Sequence, residues 1–276
     1  MSSIKLINRA LGLVPWSIRG HVKHIPGIAQ LQRFLVSKAL DGKEFPHLVE
    51  AGPARGVTFL VRMPEDKGIW TGTYEQGFAG RLAEAVRPGV VAYDIGSWHG
   101  FFAGVMAAQG AAIVHVFEPL PANADRIRKL VELNPQKRIV LHPCAVGDHD
   151  THMDLMVMPE TSMAKLEQSS FQPEATSATR VRVAVKTIDG MVAAGEIAPP
   201  HLVKIDVEGA EVMVLEGARA TLARHHPRIF AEIHSPELLE QGTSLLRELG
   251  YAVELLDADP QAARARGVFQ IHAAAA

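Results

Sequence analysis

The residues best suited to chemistry are acids that end apolar runs. VVAYDIGSWHGFF, residues 90–102, stops being apolar at Asp94 and then carries Gly96 and Gly100 four apart, with Trp98, Phe101 and Phe102 around them. IVHVFEP ends at Glu118, RIVLHPCAVG runs through His142 to Ala145, HLVKIDVEG ends at Asp206, and RIFAEIH ends at Glu232 and His234. A structural sheet edge gains nothing from so many acids, because they repel one another unless a ligand or metal relieves them. A ligand-binding edge is therefore expected.

Asp94 with Gly96, Ser97 and Gly100 forms the first candidate turn, in which glycine lets a ligand approach the backbone. Glu118, 24 residues after Asp94 and at the tip of the next apolar run, is suited to accept hydrogen bonds from ribose hydroxyls. A dinucleotide turn would read G-x-G-x-x-G and offer its helix N-terminus to a pyrophosphate. Here Ser97, Trp98 and His99 separate the glycines, and the carboxylate just before them repels a phosphate. That turn suits the ammonium end of S-adenosylmethionine.

These positions need elements to hold them. From residue 81 the chain alternates: RLAEAV, FFAGVMAAQG, PANADRIRKLVELN and IDGMVAAG read as helices, as do residues 211–224 and 236–249. VVAYDIG, IVHVFEP, RIVLHPCAVG, HLVKIDVEG, RIFAEIH and YAVELLD read as strands, with GVFQIHA as a candidate last one and a hairpin-like excursion over 148–187. Nearly continuous apolar strands alternating with helices predict a doubly wound α/β sheet, mostly parallel and covered on both faces. In such a sheet a ligand lies beyond the carboxyl ends of the strands, where the acids fall. The expected division is an N-terminal extension over 1–80, holding helices, a hairpin and a lid segment, and a cofactor-binding domain over 81–276. In the extension, IKLINRALGLV and IAQLQRFLVSKAL read as amphipathic helices docked on the protein's own core, with peripheral contact to a membrane surface as the alternative. GIWTGTYEQ, with Trp70, Tyr74 and Glu75 among glycines, reads as a loop that closes over a site.

Composition excludes several classes. A formal charge of -2 with scattered Lys and Arg argues against a nucleic-acid partner. Cys144 is the single cysteine, so no intrachain disulfide forms, and a buried thiol is expected. No run approaches the roughly 18 apolar residues of a membrane-spanning helix, and residues 1–30 lack the ordered parts of a signal peptide, so a cytoplasmic protein is expected.

Together YDIGSWHGFF, VFEPLPAN, CAVGD and VKIDVEGAEVMVLEGA resemble the FkbM-type S-adenosylmethionine-dependent methyltransferases, and GIWTGTYE resembles the segment before the nucleotide fold in that family. The resemblance covers about residues 68–250. It implies a class I methyltransferase sheet of seven strands, the last antiparallel, and O-methylation of a sugar, glycan or secondary metabolite. It further implies that Asp94, Gly96, Ser97 and Gly100 form the cofactor turn, that Glu118 and Pro119 lie at the ribose, that Ala145 and Val146 lie beside adenine, and that Glu75 and Asp206 complete the cofactor set. Trp98 and His99 are bulkier than the family's small turn residues.

Methyl transfer to a hydroxyl requires alignment and removal of a proton. Asp206, Glu232 and His234 are expected to converge there, since period-2 alternation puts Glu232 and His234 on one side of their strand. They can hold a divalent cation such as Mg that acidifies the hydroxyl, or His234 can act as base with a carboxylate orienting it; a strand-end ion pair is the structural alternative. Glu211 reads as a helix N-terminal acid. A nicotinamide-dependent dehydrogenase or epimerase would call for a Tyr-x-x-x-Lys pair, which none of the three tyrosines supplies. A non-catalytic nucleoside-binding scaffold would leave Asp206 and Glu232 without a task.

Overall fold

Seven strands make the sheet that carries the site. The computed structural model describes residues 42–157, 164–166 and 179–276. The two amphipathic segments expected near the start, and much of the excursion at 148–187, lie outside the described residues.

In chain order the elements are β1 Glu44–Leu48, β2 Thr58–Arg62, α1 Lys67–Thr71, α2 Gln76–Ala85, β3 Val91–Ile95, α3 Phe101–Ala108, β4 Ile113–Phe117, α4 Pro121–Leu133, β5 Ile139–His142, β6 Ala145–Val146, β7 Thr151–Val157, β8 Ala164–Leu166 and β9 Thr179–Lys186. They continue as α5 Ile188–Ala193, β10 Leu202–Ile205, α6 Glu211–Glu216, α7 Arg219–His225, β11 Arg228–Ile233, α8 Pro236–Glu248, β12 Tyr251–Leu255, α9 Pro260–Arg266 and β13 Phe269–Ala275. The chain divides into two compact units, Met1–Phe45 with Val61–Lys67, and Pro46–Leu60 with Gly68–Ala276. In the first, a turn is tied at both ends: the Arg62 N–H donates to the Asp66 carboxylate (2.7 Å) and the Asp66 N–H to the Arg62 carbonyl (2.8 Å).

In the second unit the large sheet has the order β12-β13-β11-β10-β3-β4-β5. β3, β4, β5, β10 and β11 pair in parallel, and β13 is antiparallel to both neighbours. This is the mostly parallel, doubly wound sheet expected, with its one reversed strand at the end of the chain. All four residues of β10 are buried, as a central strand covered on both faces requires. The strand order turns outward in both directions from β3 and β10, so the crevice at their carboxyl ends is the topological switch point. Register there aligns Asp94 with Lys204 and Lys204 with Phe230. One face of the sheet edge therefore carries Asp94, Lys204 and, two residues further along their strands, Asp206 and Glu232.

Three expectations about elements are corrected. The single strand read over RIVLHPCAVG breaks at Pro143, which has no N–H for a ladder, and Ala145–Val146 instead pairs with β9 in a second sheet of order β6-β9-β7-β8. The helix read over 211–224 is two helices, because Gly217 approaches the chain at Gly147 so closely that a Cβ would sit 1.8 Å from the Gly147 carbonyl oxygen. Asp189 then caps the new start, accepting from the N–H groups of Ala220 and Thr221 at 2.8 and 2.7 Å. The helix read from Arg81 begins at Gln76, and α9 was not anticipated, although Asp259 caps it and Gly267 ends it in the left-handed region.

Candidate active site

The turn after β3 is built by burial. Gly96 has φ 74 and passes so near β10's tip that a Cβ would lie 1.7 Å from the Asp206 carbonyl oxygen. Only glycine fits. Asp94 is 0% exposed; its Oδ2 accepts from the Ser97 hydroxyl (2.6 Å) and the Ala103 N–H (2.8 Å), and its Oδ1 lies 3.5 Å from Lys204 Nζ. Burial pushes this carboxyl up, and Lys204, Ser97 and Ala103 oppose the shift. Asp94 thus holds the first turn of α3 and faces a lysine, and neither it nor Ser97 nor Gly100 lines the cleft.

That cleft, open to solvent, lies beside the turn. Trp98, Glu118, Pro119, Ala145 and Val146 line it, as do Met153, Leu155 and Val185 of the second sheet. Asp206 and Glu208, which follow β10, line it from the side of β3 opposite to Glu118, which follows β4. Glu118 Oε2 accepts the Trp98 N–H (2.9 Å), and Oε1 accepts the Leu120 N–H (2.9 Å) and Asn123 Nδ2 (3.3 Å). Burial lifts it to about 7 against those bonds. His142, read as part of the strand-end set, turns instead to His115, 2.9 Å away.

Past Asp206 the acids gather. Ligand atoms of Asp206, Glu232 and His234 all lie within 4.8 Å of one another. His234 Nε2 lies 3.8 Å from Asp206 and 3.5 Å from Glu208, its Nδ1 bonds Glu211 at 2.9 Å, and Gln270 donates to Glu232 at 3.0 Å. Lys204 Nζ donates to the Gly96 carbonyl (2.8 Å) and to Asp206 (3.3 Å), joining the tips of β3 and β10. Burial opposes the charge on His234, yet Glu211, Asp206 and Glu208 lift it to about 9; likewise Asp206 and Asp94 raise the buried Lys204. Glu75 and Glu208 are each pushed to about 7 by burial and by neighbouring carboxylates, and Glu232 is raised for the same reasons. Glu75 lies within electrostatic reach of Asp206 and Glu232 without lining the cleft.

Backbone strain concentrates here. Glu75, Trp98 and Glu208 have φ of 41, 51 and 54°, conformations that L-residues hold only when their surroundings enforce them. Sequence reasoning missed Lys204, Glu208 and the Glu211–His234 bond. A lysine inside the apolar run LVKI was a legible signal for the first, whereas Glu208 and Glu211 gain meaning only from β11 beside them.

The profile of the methyltransferase FkbM domain matches residues 89–253, more than half of the chain. The chain belongs to this family. Its cleft, turn and acid group all fall within the matched residues. The hexuronic acid methyltransferase AglP of Haloferax volcanii is 29% identical over 183 residues, spanning 66% of this chain and 71% of that protein. The crystal structure of the methyltransferase FkbM from Methylobacillus flagellatus KT superposes with a TM-score of 0.50 at 16% identity, over 89% of this chain and 59% of that one, a likeness that speaks for the fold. This chain is thus an FkbM-type methyltransferase with a Rossmann-like sheet, and among its described residues no helix is long and apolar enough to cross a membrane.

Proposed function

We propose that the chain is an S-adenosylmethionine-dependent O-methyltransferase acting on a hydroxyl of a sugar, a glycan or a related small molecule. One observation carries the reading: the cleft runs from Glu118 to Asp206 and Glu208, and His234 lies directly against that second end. The cleft suits a nucleoside. Glu118 keeps acceptor lone pairs beyond its three bonds, and Trp98 Nε1 is buried without a hydrogen-bond partner, a donor that a bound ligand would satisfy.

When bound, the cofactor supplies an activated methyl group on a sulfonium. In this reading Glu118 accepts the ribose hydroxyls, Pro119, Ala145 and Val146 border the nucleoside, and Gly96 and Asp206 border the amino-acid end. Asp94, Ser97 and Gly100 act by shaping the turn, Glu75 extends the acid face, and residues 68–77 form a lid. At the acceptor, Asp206 and Glu232 orient the hydroxyl, and His234 Nε2 takes its proton as the oxygen gains the methyl. With His234 lifted to about 9, its base form is the minority at neutral pH and grows as pH rises toward 9, so methyl transfer should climb with pH over that range. The hexuronic acid relative supports a sugar acceptor. A reducing compartment suits the buried lone cysteine, and we take the cytoplasm as the location.

A second reading rests on the same cluster: Asp206, Glu232 and His234 offer two oxygens and a nitrogen that fit a divalent cation such as Mg. Calorimetry with S-adenosylhomocysteine tests the cofactor assignment. Glu118→Ala should weaken binding by about 2 to 3 kcal/mol, the scale of lost charge-assisted hydrogen bonds. Unchanged affinity would remove the ribose assignment, and tight NAD binding by the wild type would favour a dehydrogenase. His234→Ala and Asp206→Asn should both abolish most methyl transfer. Loss of wild-type turnover in a chelator, restored by Mg, would select the cation.

A further inference from the structure

Glu211 is more than the acid at the start of α6. It is 0% exposed, and its Oε1 accepts two bonds at 2.9 Å, from the Gly209 N–H and from His234 Nδ1, while Oε2 is buried without a hydrogen-bond partner. A capping acid needs only the backbone contact and normally keeps its other oxygen in water. Burying a carboxylate with one oxygen unsatisfied costs stability, so a helix end alone does not explain this arrangement. What the carboxylate does is join two strand ends. Gly209 belongs to the turn that brings Asp206 and Glu208 to the cleft, and His234 follows β11.

The bond also decides which nitrogen does chemistry. With Nδ1–H donated to Glu211, the proton that the ring gives up and takes back is the one on Nε2, and that atom lies 3.5 Å from Glu208 and 3.8 Å from Asp206, both lining the cleft. His234 is 3% exposed, so without Glu211 its ring has little water to hold it in this sense. We infer that Glu211 is a positioning residue for methyl transfer: it accepts the Nδ1–H of His234 and so turns Nε2 toward the acceptor. This rests on the reading that His234 takes the acceptor's proton.

The experiment compares Glu211→Gln and Glu211→Ala in the full chain, with circular dichroism and S-adenosylhomocysteine affinity as controls. The glutamine is nearly isosteric and its amide oxygen still accepts Nδ1–H. The first readout is nitrogen NMR of labelled histidine, which needs no acceptor: wild type and E211Q should show a slowly exchanging proton on His234 Nδ1, and E211A should lose it. The second is methyl transfer to a hexuronic acid glycoside or whichever hydroxyl acceptor the wild type methylates. There E211A should lower kcat about 100-fold, the lower end for general base catalysis, with KM for the cofactor changed less than three-fold, and E211Q should recover at least ten-fold of that loss. A neutral wild-type ring bearing its proton only on Nε2 would overturn the inference, as would E211A turnover within three-fold of wild type. Failure of the wild type to methylate any hydroxyl would count against the proposed function, while the NMR result would still judge the Glu211 contact.

Discussion

Glu118 is where one residue governs ligand affinity through its charge. Three donors hold it at the cleft wall, but burial leaves it near 7 in the empty protein. A ribose hydroxyl donating to the carboxylate favours the ionised form, so binding must lower this pKa and release a proton below about 7. Affinity for S-adenosylhomocysteine should therefore rise as pH climbs from 5 to 7, approaching about ten-fold per unit, and level off above. Calorimetry in buffers of differing ionisation enthalpy measures both the affinity and the proton. Glu118→Gln should flatten the profile; a wild-type profile already flat would remove the linkage. Gly96 is the steric counterpart. Gly96→Ala puts a methyl group 1.7 Å from a backbone oxygen in a left-handed conformation, and should cost more than about 3 kcal/mol in denaturant unfolding.

Among elements, the segment between α1 and α2 reaches the turn after β3 without belonging to the sheet. Tyr74 stacks on Trp98, with ring centroids 5.9 Å apart, and meets Phe101 edge-on at 5.0 Å, while Glu75 beside it holds a left-handed φ. Trp98 lines the cleft, so this aromatic stack couples the segment to whatever fills it. Residues 68–77 should show weak hydrogen-exchange protection relative to β3 and β10 in the empty protein and a clear rise with S-adenosylhomocysteine. Equal protection in both states would make the segment static packing. Tyr74→Ala should remove the rise while leaving protection of the sheet unchanged.

At the scale of the molecule, the topological switch point forces acids from separate strands into one buried crowd, and the whole fold feels it. Glu75, Glu118 and Glu208 each sit near 7 in the folded state against an ordinary value of 4.5. Between those values the folded protein binds more protons than the unfolded chain, so stability falls as pH rises through the window. His234, lifted from 6.5 to about 9, acts in the same sense, its contribution being lost as pH passes 9. His115, depressed to about 4, opposes this between 4 and 6.5, and His142 shifts in the same direction as His115. Above 6.5 those two histidines no longer contribute. The ligand-free protein should accordingly melt at a lower temperature at pH 8.5 than at pH 6.5, by differential scanning calorimetry, and S-adenosylhomocysteine should narrow the gap. A melting temperature that rises with pH across that interval would contradict the charge assignment.

Residue order alone determined the alternation of apolar strands and amphipathic helices, and with it the doubly wound sheet, because both periodicities are local. It also marked Glu118, Asp206, Glu232 and His234 as strand-end groups, since an acid after an apolar run is visible without a fold. Where a reading needed a partner from elsewhere in the chain, it went astray or stayed blank. Asp94 meets Lys204 because β3 lies beside β10 in a register that no local pattern encodes. Gly217 interrupts a helix because Gly147 passes it, 70 residues earlier in the chain. Pro143 sends the chain into a second sheet that lines the cleft, and Glu211 acquires His234 only when β11 is laid against β10. Tertiary structure decided these points because each is a contact between segments far apart in sequence, made in a buried space where every charge and hydrogen-bonding group must find its partner.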